Sequence, residues 1–281
     1  MRRAVNTLVI GSGASGLAAA LRLHALGVED LLLLSEGLER GTSINTGSDK
    51  QTYYKLGLYG AEPDSPQLLA KTLFEGGSVH GDVALVEAAL STRCFMNLVN
   101  LGVPFPSDAW GQYIGYKTDH DPKRRATSCG PYTSREMCRA LIRAVRQAGI
   151  PIAEKRTVAE LITVDSRAAG AIIYDMEKRD FETIFAENVV FAVGGPGGLY
   201  ASSVYPVGHF GAIGLALKAG ALAQNLPESQ FGLASTRFRW NVSGTYMQVL
   251  PRFLSTAADG KSDEREFLLD HFKDAGRMNS M

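Results

Sequence analysis

Apolar positions open the chain in a short run, Leu8-Val9-Ile10, that stops at Gly11-Ser12-Gly13 and gives way to alanine and leucine at helical spacing from Ala18 to Leu26. This pattern predicts a strand, a glycine turn and a helix. A second run, Leu31 to Leu34, predicts a strand ending at Ser35 and Glu36. Helices are expected over Ser65 to Phe74 and Asp82 to Leu101, the second with Val83, Val86, Leu90, Phe95, Leu98 and Val99 as its apolar positions and Gly102 as its stop. Residues 104–131 read as loop, with a basic cluster at Lys123, Arg124 and Arg125. A helix over Ser134 to Gln147 ends at Gly149. Strands follow over Ile150 to Ala153, Val158 to Val164, Ala171 to Asp175 and Thr183 to Phe185, with a hairpin-like turn at Asp165 to Gly170. Glu187 to Val193 is a further strand, running into a second glycine turn, Gly194-Gly195-Pro196-Gly197-Gly198. Beyond it, Gly211 to Ala223 reads as a small-residue helix, and Asp263 to Asp274 as an amphipathic helix with Glu266 as the capping-box partner of Asp263.

Strands alternating with helices place the chain in the α/β class, with a parallel central sheet, Rossmann-like at its start, into which a β-meander is inserted. The change of character after Phe231 divides the chain into residues 1–230 and 231–281.

At 281 residues with 45% hydrophobic and 21% charged positions, the composition is that of an ordinary globular protein. Lysine plus arginine equals aspartate plus glutamate, 29 each, so no overall basic field draws nucleic acid or an anionic membrane surface. Arg2 and Arg3 precede an apolar stretch that Gly11 soon interrupts, which reads as a strand rather than a leader. No run reaches the roughly 18 apolar residues of a membrane span, so no direct membrane insertion is expected, and the cysteine usage that follows points to the cytoplasm. Cys94, Cys129 and Cys138 are odd in number and lack Cys-x-x-Cys spacing, the pattern of reduced, packed thiols, and no metal site is expected.

The chemistry concentrates at the first glycine turn. Gly11 permits the tight bend, Gly13 lets backbone approach a pyrophosphate, and Gly16 with Ala20 lets helix and strand pack closely, so the N–H groups at Ala14 and Ser15 face the anion. Glu36 lies 25 residues past Gly11 (36 − 11), where a ribose-binding acid is expected. An empty structural turn is the other reading of the glycines. The stretch from Gly37 to Ser48 is rich in glycine and small hydroxyl residues, which favours an extended ligand such as FAD; a solvated loop is the alternative.

Taken in order, several motifs resemble the flavoprotein subunit of the fumarate reductase and succinate dehydrogenase family, which includes L-aspartate oxidase and ketosteroid dehydrogenases. They are the opening glycines, Glu36, the Thr42 to Ser48 stretch, Leu101-Gly102-Val103-Pro104-Phe105, Val158, the second glycine turn with Leu199-Tyr200, and Lys218-Ala219-Gly220-Ala221 leading to Gln230-Phe231. The resemblance implies an FAD-binding domain followed by the beginning of a capping domain. It implies that Gly11, Gly13, Ala14, Ser15 and Gly16 hold the pyrophosphate, Glu36 with Gly37 the adenosine ribose, and Thr42, Ser43 and Gly47 the ribityl chain and flavin. Val158 would meet the adenine through its backbone, and Gly194 and Gly195 would close the site.

The chain departs from that family where Gln230-Phe231-Gly232 lacks the substrate histidine and where His209-Phe210-Gly211 replaces Gly-Asp-Gly. No histidine lies between Gly41 and Lys50, so FAD is expected to be noncovalent. The resemblance implies hydride transfer between flavin N5 and an activated C–C or C=C bond of a small-molecule substrate. No catalytic residue is assigned; Arg237 and Arg239, beside Trp240, are candidates for a substrate carboxylate, with an interdomain salt bridge as the alternative. The family's C-terminal segments are expected from elsewhere, which makes this the FAD-binding portion of an oxidoreductase that works with a C-terminal partner chain or an electron-donor protein. The alternative is a non-catalytic flavin-binding or electron-transfer subunit.

Overall fold

The structure is a computed structural model and describes residues 2–46, 51–59, 62–118, 121–195, 197, 209–226, 234–235, 240–241, 252–267 and 270. Its centre is a six-stranded sheet. The N-terminal strand β1 (Arg2–Ile10) leads through the glycine turn into α1 (Ala14–Ala25) and then β2 (Leu31–Leu34). A one-turn helix, α2 (Thr42–Asn45), and a two-residue strand, β3 (Tyr53–Tyr54), precede the helical hairpin α3 (Pro66–Glu75) and α4 (Gly81–Asn100). Strand β4 (Ala126–Thr127) pairs with β3, and α5 (Thr133–Gln147) leads to β5 (Ile152–Ala153). The meander β6 (Arg156–Val164), β7 (Arg167–Asp175) and β8 (Asp180–Phe191) follows, then α6 (Ile213–Lys218) and the short pairs β9 (Ala234–Ser235) with β10 (Trp240–Asn241) and β11 (Leu254–Ser255) with β12 (Arg265–Glu266).

The spatial order β5-β2-β1-β8-β7-β6 joins a parallel half, β5 to β8, to an antiparallel half, β8 to β6. Leu31 to Leu34 are all buried because helices and meander cover both faces of the sheet, which is why this strand is a continuous apolar run. Val9, Leu31 and Leu33 face the core made with Leu17, Ala20, Phe95, Leu141 and Val145, whereas Leu8, Ile10, Leu32 and Leu34 face Ala171, Ile173 and Ile184. Asp165 and Ser166, with φ of +49° and +60°, make the tight turn between β6 and β7.

Several expected elements differ. The strands expected over 183–185 and 187–193 are one, β8: residues 180–185 pair antiparallel with β7 and residues 183–191 parallel with β1, so no break falls at Ala186. The first helix begins four residues earlier than the apolar spacing indicates, directly after the extended Gly13. In α4 the buried positions are Ala84, Ala88, Ser91, Phe95 and Leu98, while Val83, Val86 and Leu90 are exposed. Small side chains let α3 approach closely, and the larger aliphatic stripe is turned outward. The helix expected over 211–223 is only α6, and Gly220, at φ +90°, ends it. The helix expected from Asp263 does not form over the described residues: Asp263 is left-handed at φ +54°, and Glu266 lies in β12, accepting from Arg252 at 3.0 Å.

The basic cluster also divides. Arg125 is fully buried, its Nε and Nη2 each 2.8 Å from the Asp64 carboxylate and its Nη1 2.8 Å from Thr72 Oγ1. This joins the β3–β4 strand pair to the start of α3. Lys55, also fully buried, has its ammonium 4.7 Å from the centre of the Phe95 ring and 3.3 Å from the Leu56 carbonyl oxygen.

Candidate functional site

Strands β1, β2 and β8 end together, and the crevice outside the carboxyl ends of such strands is where α/β sheets bind ligands. The Gly11 N–H donates to the Leu34 carbonyl at 2.9 Å, and the Ala192 N–H donates to the Ile10 carbonyl at 2.8 Å, so the turn is wedged between its neighbours. Gly11 has φ +108°, and a Cβ there would lie 2.2 Å from the Ala192 carbonyl oxygen. A Cβ on Gly16 would lie 1.9 Å from the Gly11 carbonyl oxygen. These two glycines are fixed by the close approach of turn, helix and strand.

Gly13 differs. Its backbone is extended, φ −71° and ψ 179°, a conformation open to any residue. A Cβ there would point at Ser43 Oγ, 3.3 Å away. Gly13 is the N-cap of α1 and offers no side-chain cap. Ala14 N–H makes a 3.3 Å bond to Ser43 Oγ, and Ser15 and Gly16 N–H have no acceptor among the described residues. A helix start left uncapped in this way is suited to an anion.

The end of β2 is tied to the turn by short polar contacts. Ser12 and Ser35 hydroxyls lie 2.6 Å apart, Ser12 Oγ donates to the Gly37 carbonyl at 3.3 Å, and the Gly37 N–H donates to Ser35 Oγ at 3.0 Å. Glu36 is exposed and accepts from Thr157 Oγ1 at 3.0 Å. Val158 follows Thr157 in β6, paired with Ile173 and half-buried against the second core. The acid and the expected adenine position are thereby neighbours.

The segment after Glu36 turns back over the glycines. A Cβ on Gly41 would be 3.6 Å from Gly13 Cα, and Ser43 meets both Ala14 and the Cys138 thiol, which burial pushes up to about 11 although Ser43 bonds it. Thr42 Oγ1 is 2.9 Å from His209 Nδ1, and a Cβ on Gly194 would lie 3.5 Å from Thr42 Oγ1. Gly195 is beside Gly211, where a Cβ would lie 2.1 Å from the Gly195 carbonyl oxygen. The structure thus brings together Gly11, Gly13, Ala14, Ser15, Gly16, Glu36, Gly37, Thr42, Ser43, Gly194 and Gly195, with Val158 at one end. Gly47, Arg237 and Arg239 lie outside the described residues. Thr157 was not among the residues singled out by sequence, since a strand threonine carries no motif.

Among the described residues no group of three or more histidine, cysteine, aspartate or glutamate side chains converges, and no helix is long and apolar enough to cross a membrane.

The profile of the FAD binding domain family matches residues 6–258. L-aspartate oxidase of Mesorhizobium japonicum is 32% identical over 234 residues, 80% of this chain and 43% of that protein. L-aspartate oxidase of Streptomyces coelicolor is 29% identical over 238 residues, 81% of this chain and 40% of that protein. Among solved structures, Sdh1 of Mycobacterium smegmatis superimposes with a TM-score of 0.68 at 22% identity, covering 78% of this chain and 38% of that one. Adenylylsulfate reductase of Archaeoglobus fulgidus does so with a TM-score of 0.63 at 19% identity, covering 78% of this chain and 36% of that one. These structures share the fold.

The chain therefore belongs to the FAD binding domain family, alongside flavin-dependent oxidoreductases of the fumarate reductase and L-aspartate oxidase group, and its cofactor is FAD. It spans about two fifths of the length of the oxidases it matches. The glycine cradle at Gly11 to Gly16, with no room for side chains at Gly11 and Gly16 and uncapped at the helix start, fits the pyrophosphate of that cofactor.

Proposed function

We propose that this chain is the FAD-binding portion of an oxidoreductase that moves hydride between flavin N5 and an activated C–C or C=C bond of a small organic substrate. The observation that carries the reading is the uncapped start of α1 at Gly13, set at the carboxyl ends of β1, β2 and β8. Bound FAD supplies the hydride chemistry. In this reading Gly11 to Gly16 seat the pyrophosphate with backbone N–H groups, and the Glu36 carboxylate, with Gly37 behind it, accepts from the adenosine ribose. The Val158 backbone borders the adenine, Thr42, Ser43 and Gly47 line the ribityl and flavin end, and Gly194 and Gly195 close the far side.

Residues 1–230 form the FAD-binding domain in this proposal, and 231–281 begin a capping domain that brings Arg237 and Arg239 toward a substrate carboxylate. Gly232 supplies no imidazole where relatives have a substrate histidine. Substrate recognition and proton donation then require groups outside the matched two fifths, whichever polypeptide carries them. The reading is tested by purifying the chain, heating it and identifying the released flavin: FAD supports it, and selective retention of NAD instead overturns it. A non-catalytic flavin subunit is distinguished by whether reduced protein, joined with the remaining segments of such an enzyme, is reoxidised by an enoate.

A further inference from the structure

Among the described residues, the segment around α6 is held to the rest of the protein by few contacts. None of the α6 residues is buried, and Leu222 beyond it is fully exposed. Among the described residues its ties are the Lys218–Glu160 ion pair at 2.9 Å, in which both side chains are solvated, the close approach of Gly211 to Gly195, and the bond between His209 and Thr42. A surface ion pair contributes little. The last two ties both fall on the FAD cradle.

His209 Nδ1 and Thr42 Oγ1 are 2.9 Å apart although 167 residues separate them in sequence. Thr42 stands on the segment that covers the first glycine turn: Gly41 before it abuts Gly13, and Ser43 after it bonds Ala14. Gly194, of the second glycine turn, sits against the same Thr42 hydroxyl, and Gly211, two residues after His209, fills against Gly195 at a φ of +76° that favours glycine. The first turn, its covering segment, the second turn and the 209–211 segment therefore meet at one hydrogen bond. Where the family resemblance leads one to expect Gly-Asp-Gly before the helix, this chain has His209-Phe210-Gly211-Ala212, and His209 reaches across to Thr42.

We propose that the Thr42–His209 hydrogen bond is a clasp that closes the FAD cradle, and that His209 is a cofactor-positioning residue acting through Thr42. The proposal rests on the FAD reading above. Without the clasp, the covering segment and the second turn are no longer fixed to each other, so bound FAD leaves faster. Because the clasped segment buries little, the fold of the apoprotein does not depend on it.

The test is FAD binding to apoprotein, followed by flavin fluorescence in stopped-flow, for the parent chain, Thr42→Val, His209→Phe, the double variant and Thr42→Ser. Each single variant is expected to raise the dissociation rate roughly three- to tenfold, the size of one neutral hydrogen bond, with the association rate little changed. The double variant should be no worse than either single one, because both remove the same bond. Thr42→Ser, which keeps the hydroxyl, should restore slow release. The visible absorption band of bound flavin should shift in both single variants, as expected if the ring is held differently. Thermal melting of each apoprotein separates these effects from misfolding. Unchanged release rates and an unchanged flavin spectrum in folded His209→Phe, or additive losses in the double variant, would overturn the clasp. Failure of the parent chain to bind FAD would instead overturn the cofactor assignment itself.

Discussion

Arg125 and Asp64 form a bidentate ion pair, two bonds of 2.8 Å, in which neither side chain is more than 1% exposed. Asp64 also accepts from the Gly57 and Ser65 N–H groups at 3.0 and 2.9 Å, so its carboxylate joins the end of β3 to the start of α3. Burial by itself raises the Asp64 carboxyl pKa, but Arg125 and the two backbone donors outweigh it and hold the group below its ordinary 3.8. Asp64→Asn removes the bidentate counter-ion of a buried guanidinium and leaves it only the Asp121 carboxylate, 3.3 Å from Nη1, among the described residues, so it should lower the unfolding free energy by about 3 kcal/mol at neutral pH. A carboxyl depressed in the folded state contributes stability above its unfolded pKa, and loses it as pH falls through the folded one. The gap between parent and variant in urea titrations should accordingly narrow below about pH 4.

Lys55 carries the opposite strain. Burial pushes its ammonium down to about 8, and no carboxylate pairs with it among the described residues. Between about 8 and its unfolded 10.5, the unfolded chain holds a proton that the folded chain releases, so parent stability rises with pH in that window. Lys55→Met should therefore be more stable than the parent at neutral pH, by about 1–3 kcal/mol, since each pKa unit is worth about 1.4 kcal/mol and the contact with Phe95 is lost. Denaturation at several pH values should show that advantage shrinking as pH rises from about 8 toward 10.5. A constant difference would mean that Lys55 does not titrate in this window.

Gly11 and Gly13 should fail in different ways. Gly11→Ala sets a Cβ 2.2 Å from the Ala192 carbonyl oxygen at a φ of +108°, so folding itself should suffer, with a loss of several kcal/mol or no soluble product. Gly13→Val occupies an ordinary backbone conformation and crowds only the Ser43 hydroxyl, so the chain should fold while FAD affinity is abolished. Circular dichroism with FAD titration measures both. Retained affinity in folded Gly13→Val would place the phosphates elsewhere.

Glu36→Ala removes an exposed carboxylate whose protein partner is Thr157. Thermal stability should change little, whereas loss of one charge-assisted hydrogen bond, about 1.5–3 kcal/mol, should weaken FAD roughly ten- to hundredfold. Isothermal titration of FAD against both proteins checks this.

The parallel half of the sheet was legible because its signals are local: Leu31 to Leu34 must be buried on both faces, and Gly11 and Gly16 occupy places no side chain can enter. What escaped depends on partners distant in sequence. Val83, Val86 and Leu90 carry helical spacing as well as Ala84, Ala88 and Ser91 do, and only packing against α3 decides that the smaller set turns inward. The sequence reads as two strands with Ala186 between them, yet pairing with β1 from Thr183 to Phe191 carries β8 straight through. Arg125 reads as a solvated charge until Asp64, 61 residues earlier, is brought beside it. At the site, the glycines and Glu36 were readable from spacing, whereas the partners Thr157 and His209 follow no motif and meet Glu36 and Thr42 only through the fold.

The most direct measurement is the stoichiometry and identity of flavin bound by the purified chain. Apoprotein titrated with FAD should quench flavin fluorescence to a sharp end point at one FAD per chain, and heat or acid should release intact FAD into the supernatant. Saturation without quenching, flavin that stays with the denatured polypeptide, or preference for NAD over FAD would contradict a noncovalent FAD site built on the Gly11 to Gly16 turn.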